Sequence, residues 1–123
     1  MVRALAATLA LNRVAFGVAY LVAPTKTAGG WVGKVARDPA SHVLTRALGA
    51  RDLVLGLGAL GAMWSPAGTP RPWFAAHAIA DGADLAATIA SRRRLPRDGY
   101  RFGVAMAAAS TAVAALGAAR LTD

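Results

Sequence analysis

Asp52, Asp81 and Arg13 each fall near the middle of a helix-length run that is otherwise apolar. A charged side chain at bilayer depth costs at least about 2.5–3.5 kcal/mol on insertion scales. Such groups are expected to face a protein interior or a wet cavity, and to have partners. Two carboxyl groups in unequal surroundings suit acid–base chemistry. Low dielectric favours the protonated form of a carboxyl, and a neighbouring arginine favours the ionised form. Opening an epoxide uses that combination: an acid protonates the leaving oxygen while a base activates water.

Helical spacing gathers further polar residues around these three. At 100° per residue, His77, Asp81, Asp84 and Thr88 form one narrow stripe, extended by Trp73 and Ser91. His42, Thr45, Gly49, Asp52 and Gly56 form a second, whose small residues permit close helix approach. The first apolar run offers Asn12, Arg13, Phe16, Gly17 and Tyr20, and the last offers Ser110 and Thr111. Arg13, Arg46 and Arg51 match Asp52, Asp81 and Asp84 in number, which points to one charge-compensated cluster at a common depth. The expected catalytic set is Asp52, Asp81, Asp84, His77, Arg51 and Arg13. Asp52 and Asp81 form the acid–base pair in either order, Asp84 or His77 tunes or orients it, and Arg13 or Arg51 supplies countercharge. Asn12, Phe16, Tyr20, Trp73 and Thr88 are expected to bind substrate. The same residues also admit a purely structural role, because buried ion pairs can fix helix register without adding net stability.

The elements that must position these groups are read from length and punctuation. Apolar segments run over 2–23, 41–64, 72–91 and 101–121, each of a length that crosses roughly 30 Å of hydrocarbon as a helix. Pro24, Pro39, Pro66, Pro70, Pro72 and Pro96 all lie between the segments or at their ends. The pattern predicts an all-α integral membrane four-helix bundle forming a single domain over 1–123. Connecting segment 24–40 carries Lys26, Lys34 and Arg37, and segment 92–101 carries Arg92, Arg93, Arg94, Arg97 and Arg101. Positive charge concentrates on the cytoplasmic side, so both basic loops are expected there, with both termini on the non-cytoplasmic side of the cell membrane. Trp31, Trp64 and Trp73 suit interfacial anchors, and His42 falls near the basic boundary. Arg13 interrupts the first segment, which argues against a cleaved signal peptide. The third segment is apolar around most of its circumference, which argues against a soluble helix.

Composition narrows the chemistry. The chain is 56% hydrophobic and only 16% charged, against about a quarter charged in an average soluble domain. Every acid is Asp, and with no Cys there is no disulfide, thiolate metal site or thiol nucleophile. The net charge of +8 sits largely in the two connecting segments, which fits loops beside a lipid bilayer and not a nucleic-acid partner. Residues 56–61 match GxGxxG but lie inside an apolar helix with no strand before them, so no dinucleotide site is expected. Segment 29–35 resembles a phosphate loop but lacks the first Gly and the Ser/Thr after Lys34. Asp81 and Asp84 have the spacing of magnesium-diphosphate aspartates, without a second acidic cluster. Neither a cofactor nor a metal is expected.

One pattern carries a resemblance. It comprises Arg13, Gly17 and Tyr20-Leu-Val-Ala-Pro24, then Arg46-Ala-Leu-Gly-Ala-Arg-Asp52-Leu-Val-Leu-Gly-Leu-Gly58, then Asp81 and Asp84-Leu. It resembles a family of uncharacterised small four-span membrane proteins of actinobacteria and, more distantly, the DoxX-type proteins. The resemblance implies fold and topology and no particular activity. Small membrane epoxide hydrolases of fungal polyketide pathways are similar in size and helix count. The expected function, drawn from the residue set, is that of a membrane-embedded enzyme. It would act on a lipophilic small molecule by Asp-based acid–base chemistry, epoxide hydrolysis or a related isomerisation or cyclisation. The alternatives are a small proton-coupled transporter, working as a homodimer, and a non-catalytic membrane accessory subunit.

Overall fold

Proline punctuation and the apolar runs between prolines set the helices. The computed structural model describes residues 1–122, so Asp123 lies outside it. Helix α1 spans Val2–Val22, α2 Pro24–Val32, α3 Pro39–Trp64, α4 Pro70–Ala90 and α5 Arg97–Arg120, with a 3-10 turn at Gly33–Arg37. Helices α2, α3 and α4 each carry Pro in the first turn, where the missing N–H has no intrahelical partner to lose. At Ala23 the backbone leaves the helical region (φ −137°) immediately before Pro24, and this ends α1. The described residues are all-helical, with no strand.

The four long helices follow the four apolar segments, although α5 begins at Arg97, inside the expected 92–101 connection, and the larger difference lies between the first two. Segment 24–40, expected as a connecting loop, holds α2 and the 3-10 turn. Pro24 starts α2, and the Thr27 hydroxyl lies 3.0 Å from the Ala19 carbonyl and 2.9 Å from that of Ala23, which ties α2 to the end of α1. Gly29 and Gly30, poor helix formers, hide this short helix in the sequence. It ends at Gly33, whose φ of +70° lies in the left-handed region open to glycine. A Cβ on Gly33 would also meet the Pro96 ring at 2.7 Å, so the two basic connections sit at the same end of the bundle.

Backbone contacts define two antiparallel helix pairs, α1 with α3 and α4 with α5. A Cβ on Gly49 would lie 2.8 Å from the Gly17 carbonyl, and one on Gly56 would lie 2.8 Å from that of Ala10. These two points of backbone contact let α1 and α3 approach closely, as small residues do in lipid-embedded helix pairs. In the second pair, Phe74 packs on Gly117 and Thr88 on Gly103. Looser seams, α1 against α5 and α3 against α4, join the pairs, and α2 packs against α1 and α5. Arginines close the helix ends: Arg3 donates to the Met63 carbonyl, Arg46 to that of Leu21 at 3.2 Å, and Arg71 to that of Ala118 at 3.0 Å. Each satisfies a terminal acceptor and complements the negative helix end.

The interior combines an apolar cluster around Leu9, Leu60, Met63 and Phe74 with polar and charged side chains, and much of the outer surface is apolar. Arg13, Thr45, Asp52, His77, Asp81 and Thr88 are buried, while Val43 is 68% and Ile79 75% exposed. Leu11, Val18, Val22, Leu44, Val54 and Leu57 also face outward. Helices α1 and α5 are long and apolar enough to cross a membrane.

Candidate functional site

The buried stripe of each helix brings one part of the site inward. On α1 it includes Ala6, Ala10, Arg13 and Gly17, on α3 Thr45, Gly49, Asp52 and Gly56, and on α4 Phe74, His77, Asp81 and Thr88. Because α1 and α3 touch backbone to backbone on either side of Arg13, its guanidinium is delivered onto Asp52. Arg13 Nη1 lies 2.6 Å from Asp52 Oδ1, and Arg13 Nη2 binds Asp81 Oδ1. Arg51 donates from Nη2 to the same Asp52 Oδ1 at 3.0 Å and grips Asp84 with both Nη atoms, at 3.1 and 2.7 Å. The result is one alternating chain, Asp81–Arg13–Asp52–Arg51–Asp84.

Charge in this chain does not close. Three carboxylates meet two guanidiniums, because Arg46 turns outward to the Leu21 carbonyl and does not join them. The balance expected from counting Arg46 is thus corrected to a surplus of one negative charge. The acids are not equivalent. Both oxygens of Asp84 accept from Arg51. Asp52 Oδ1 accepts from two arginines. Asp81 Oδ2 is buried without a hydrogen-bond partner. A polar atom in that position is costly unless something binds it.

A cavity of about 130 Å³ adjoins the chain. That is close to the roughly 150 Å³ that suffices for benzene in an apolar protein interior. Arg13, Asp52, Asp81 and Asp84 form its polar wall. Asn12, Phe16 and Tyr20 recur every fourth residue along α1, and Phe102, Met106 and Ser110 along α5, so the cavity lies in the α1–α5 seam. Phe16, Phe102 and Met106 are themselves exposed, which opens the seam to the apolar outer surface of the bundle. Trp31 of α2 closes the basic end, its indole lying over Gly103 and its carbonyl against Gly99.

The structure brings together most of the residues singled out by sequence. Asp52, Asp81, Asp84 and Arg13, with Asn12, Phe16 and Tyr20, line the cavity. Arg51 stands behind, joining Asp52 to Asp84. His77 is 0% exposed and packs on Phe74 with ring centroids 5.2 Å apart, outside the cavity lining. Trp73 lies over Gly58, and Thr88 donates to the Asp84 carbonyl at 2.7 Å beside Gly103; neither forms part of the lining. His42 pairs with Thr25 at 2.8 Å, away from the cluster. Trp31, expected as an interfacial anchor, forms a cavity wall, and Phe102 and Met106 were not foreseen. Their four-residue spacing carried the signal, but apolar residues at that spacing mark any lipid-facing or packed helix. Comparison with protein-family models, curated proteins and solved structures finds no match to this chain.

Proposed function

We propose that the protein is a four-span membrane enzyme that performs carboxyl acid–base chemistry on a lipophilic small molecule. The reaction is epoxide opening or a related isomerisation or cyclisation. Asp81 carries this reading: its side chain is 9% exposed, it lines the cavity, and it has one oxygen fixed by Arg13 and the other unpartnered. One proton makes the five-residue chain neutral, and Asp81 Oδ2 is a fully buried oxygen with no hydrogen-bond partner. Asp81 therefore acts as the acid. Its proton passes to the epoxide oxygen, the carbon–oxygen bond breaks with its electron pair remaining on oxygen, and a hydroxyl forms. Water then makes a new bond to that carbon and gives its surplus proton to the Asp52 carboxylate. Return of this proton from Asp52 to Asp81 restores the resting state. In an isomerisation, loss of a proton from the adjacent carbon replaces attack by water.

The membrane setting rests on the exposed apolar surface and on the charged groups held inside it. Helices α3 and α4, with 26 and 21 residues, have the length of spans. Their apolarity is reduced by Arg46, which lies on the outer face toward the basic end, and by Arg51, Asp52, His77, Asp81 and Asp84, which belong to the buried or half-buried side. The basic connections share one bundle end, which supports a cytoplasmic position for them and a position across the membrane for both termini. Kinship with the small four-span family that the Arg13 and Asp52 motifs resemble is part of the same proposal.

The test is turnover of lipophilic epoxides by protein in lipid nanodiscs. Asp52→Asn and Asp81→Asn are each expected to abolish diol formation while helix content by circular dichroism is retained. Wild-type turnover in both variants would overturn the assignment.

A further inference from the structure

The same cavity has a second chemical property. Phe16, Tyr20, Trp31 and Phe102 place aromatic rings on its walls, and the carboxyl chain beside them, once a cation displaces its single proton, carries one more negative charge than positive. Aromatic faces attract cations through their quadrupole, and they do so most strongly where water is excluded. Asp81 supplies the independent observation, a side chain more than nine-tenths buried on the cavity wall with an oxygen that has no partner. Exposed Phe16, Phe102 and Met106 make the approach apolar, so the ligand must tolerate an oily route before it meets charge.

We infer that the α1–α5 cavity is a binding site for lipophilic organic cations, such as aryl-alkyl ammonium ions, whose charge sits between the aromatic walls and Asp81. The inference rests on the proposed function only in placing the ligand in this cavity, and it requires no turnover. It also gives that function a consequence. Carbon–oxygen cleavage develops positive charge on carbon, so a lipophilic ammonium imitates the reacting centre and competes with substrate. The cavity volume of about 130 Å³ limits the enclosed part of the ligand to about one ring or one small quaternary head, with longer tails leaving through the α1–α5 seam.

The test compares benzyltrimethylammonium with neopentylbenzene, which has the same shape with carbon in place of the charged nitrogen. Binding is measured by equilibrium dialysis against the full protein in nanodiscs of zwitterionic lipid, with empty nanodiscs subtracted. The cation is expected to bind at least tenfold more tightly than the hydrocarbon, and Asp81→Asn is expected to remove most of that preference. Phe16→Leu and Phe102→Leu alter half-exposed rim positions and keep apolar bulk, so they report even where Asp81→Asn fails to fold. Each is expected to weaken cation binding about threefold to tenfold and to weaken hydrocarbon binding less, so that the preference narrows. Equal binding of the two probes by the wild type, or an unaltered preference in both Phe variants, would overturn the inference. Cation binding without epoxide turnover would support it and count against the enzyme reading alone. Turnover without cation preference would do the reverse.

Discussion

Arg13 and Asp52 meet at 2.6 Å between two backbone contacts of the same helix pair, Gly17 with Gly49 and Ala10 with Gly56. The charges are held where the helices are closest. A guanidinium and a carboxylate that far from water gain from their attraction only if geometry is fixed and the remaining hydrogen-bonding capacity is filled. Arg13 fills part of it by reaching Asp81 as well.

Enlarging either contact should separate the pair. A Cβ on Gly49 would meet the Gly17 carbonyl and the Tyr20 Cβ, both at 2.8 Å. Gly49→Val is expected to lower stability by about 1–3 kcal/mol, the usual cost of overpacking. Thermal unfolding in detergent micelles checks this. Gly61→Ala, at a position with nothing within 4 Å of its Cβ, serves as the control and should be near neutral.

The two arginines should differ in importance. Arg13 joins two carboxyl groups and its side chain is 6% exposed, whereas that of Arg51 is 33% exposed. Removing one partner of a buried pair leaves an uncompensated charge and costs about 3–5 kcal/mol. Arg13→Met is expected to fall in that range and Arg51→Met clearly below it. Equal losses on unfolding would contradict the burial argument.

Helices α3 and α4 carry the test of four spans. Spin labels at Val54 and Ile79, both outward-facing, are expected to collide with lipid-dissolved oxygen and to be protected from a water-soluble nickel complex. The reverse pattern would place these helices in water and remove the four-span reading.

Trp31 should hold the basic end of the cavity shut. A Cβ on Gly103 would lie 2.5 Å from Trp31 Nε1. Gly103→Val is expected to lift Trp31 from α5 and to increase its access to aqueous quenchers, measured in a Trp64→Phe, Trp73→Phe background. Unchanged quenching would argue that α2 does not close the cavity.

Much of the site was legible because charge in an apolar helix is conspicuous and helical spacing assigns it a face. The stripes through Arg13, Asp52 and Asp81 are the buried stripes of α1, α3 and α4. Pairing was less legible. Counting charges gave Arg46 the same standing as Arg51, although Arg46 lies on the outer face and closes α1 through the Leu21 carbonyl. The apolar half of the site was hidden. Phe102 and Met106 differ from other outward-facing residues only in their position beside α1, a property of packing and not of local sequence. Helix α2 was masked by Gly29 and Gly30, and is held by Pro24, Thr27 and its packing on α5.

In the proposed enzyme Asp81 is a protonated carboxyl reached from the lipid side through the α1–α5 seam. Lipophilic carbodiimides react with protonated carboxyl groups in apolar surroundings, so the direct measurement is labelling with dicyclohexylcarbodiimide in nanodiscs, mapped by mass spectrometry of the digested protein. The expected result is an adduct on Asp81 that is blocked by benzyltrimethylammonium, with Asp84, both of whose oxygens are held by Arg51, unlabelled. An unmodified Asp81, or equal labelling of Asp81 and Asp84, would rule out Asp81 as the proton donor at this site.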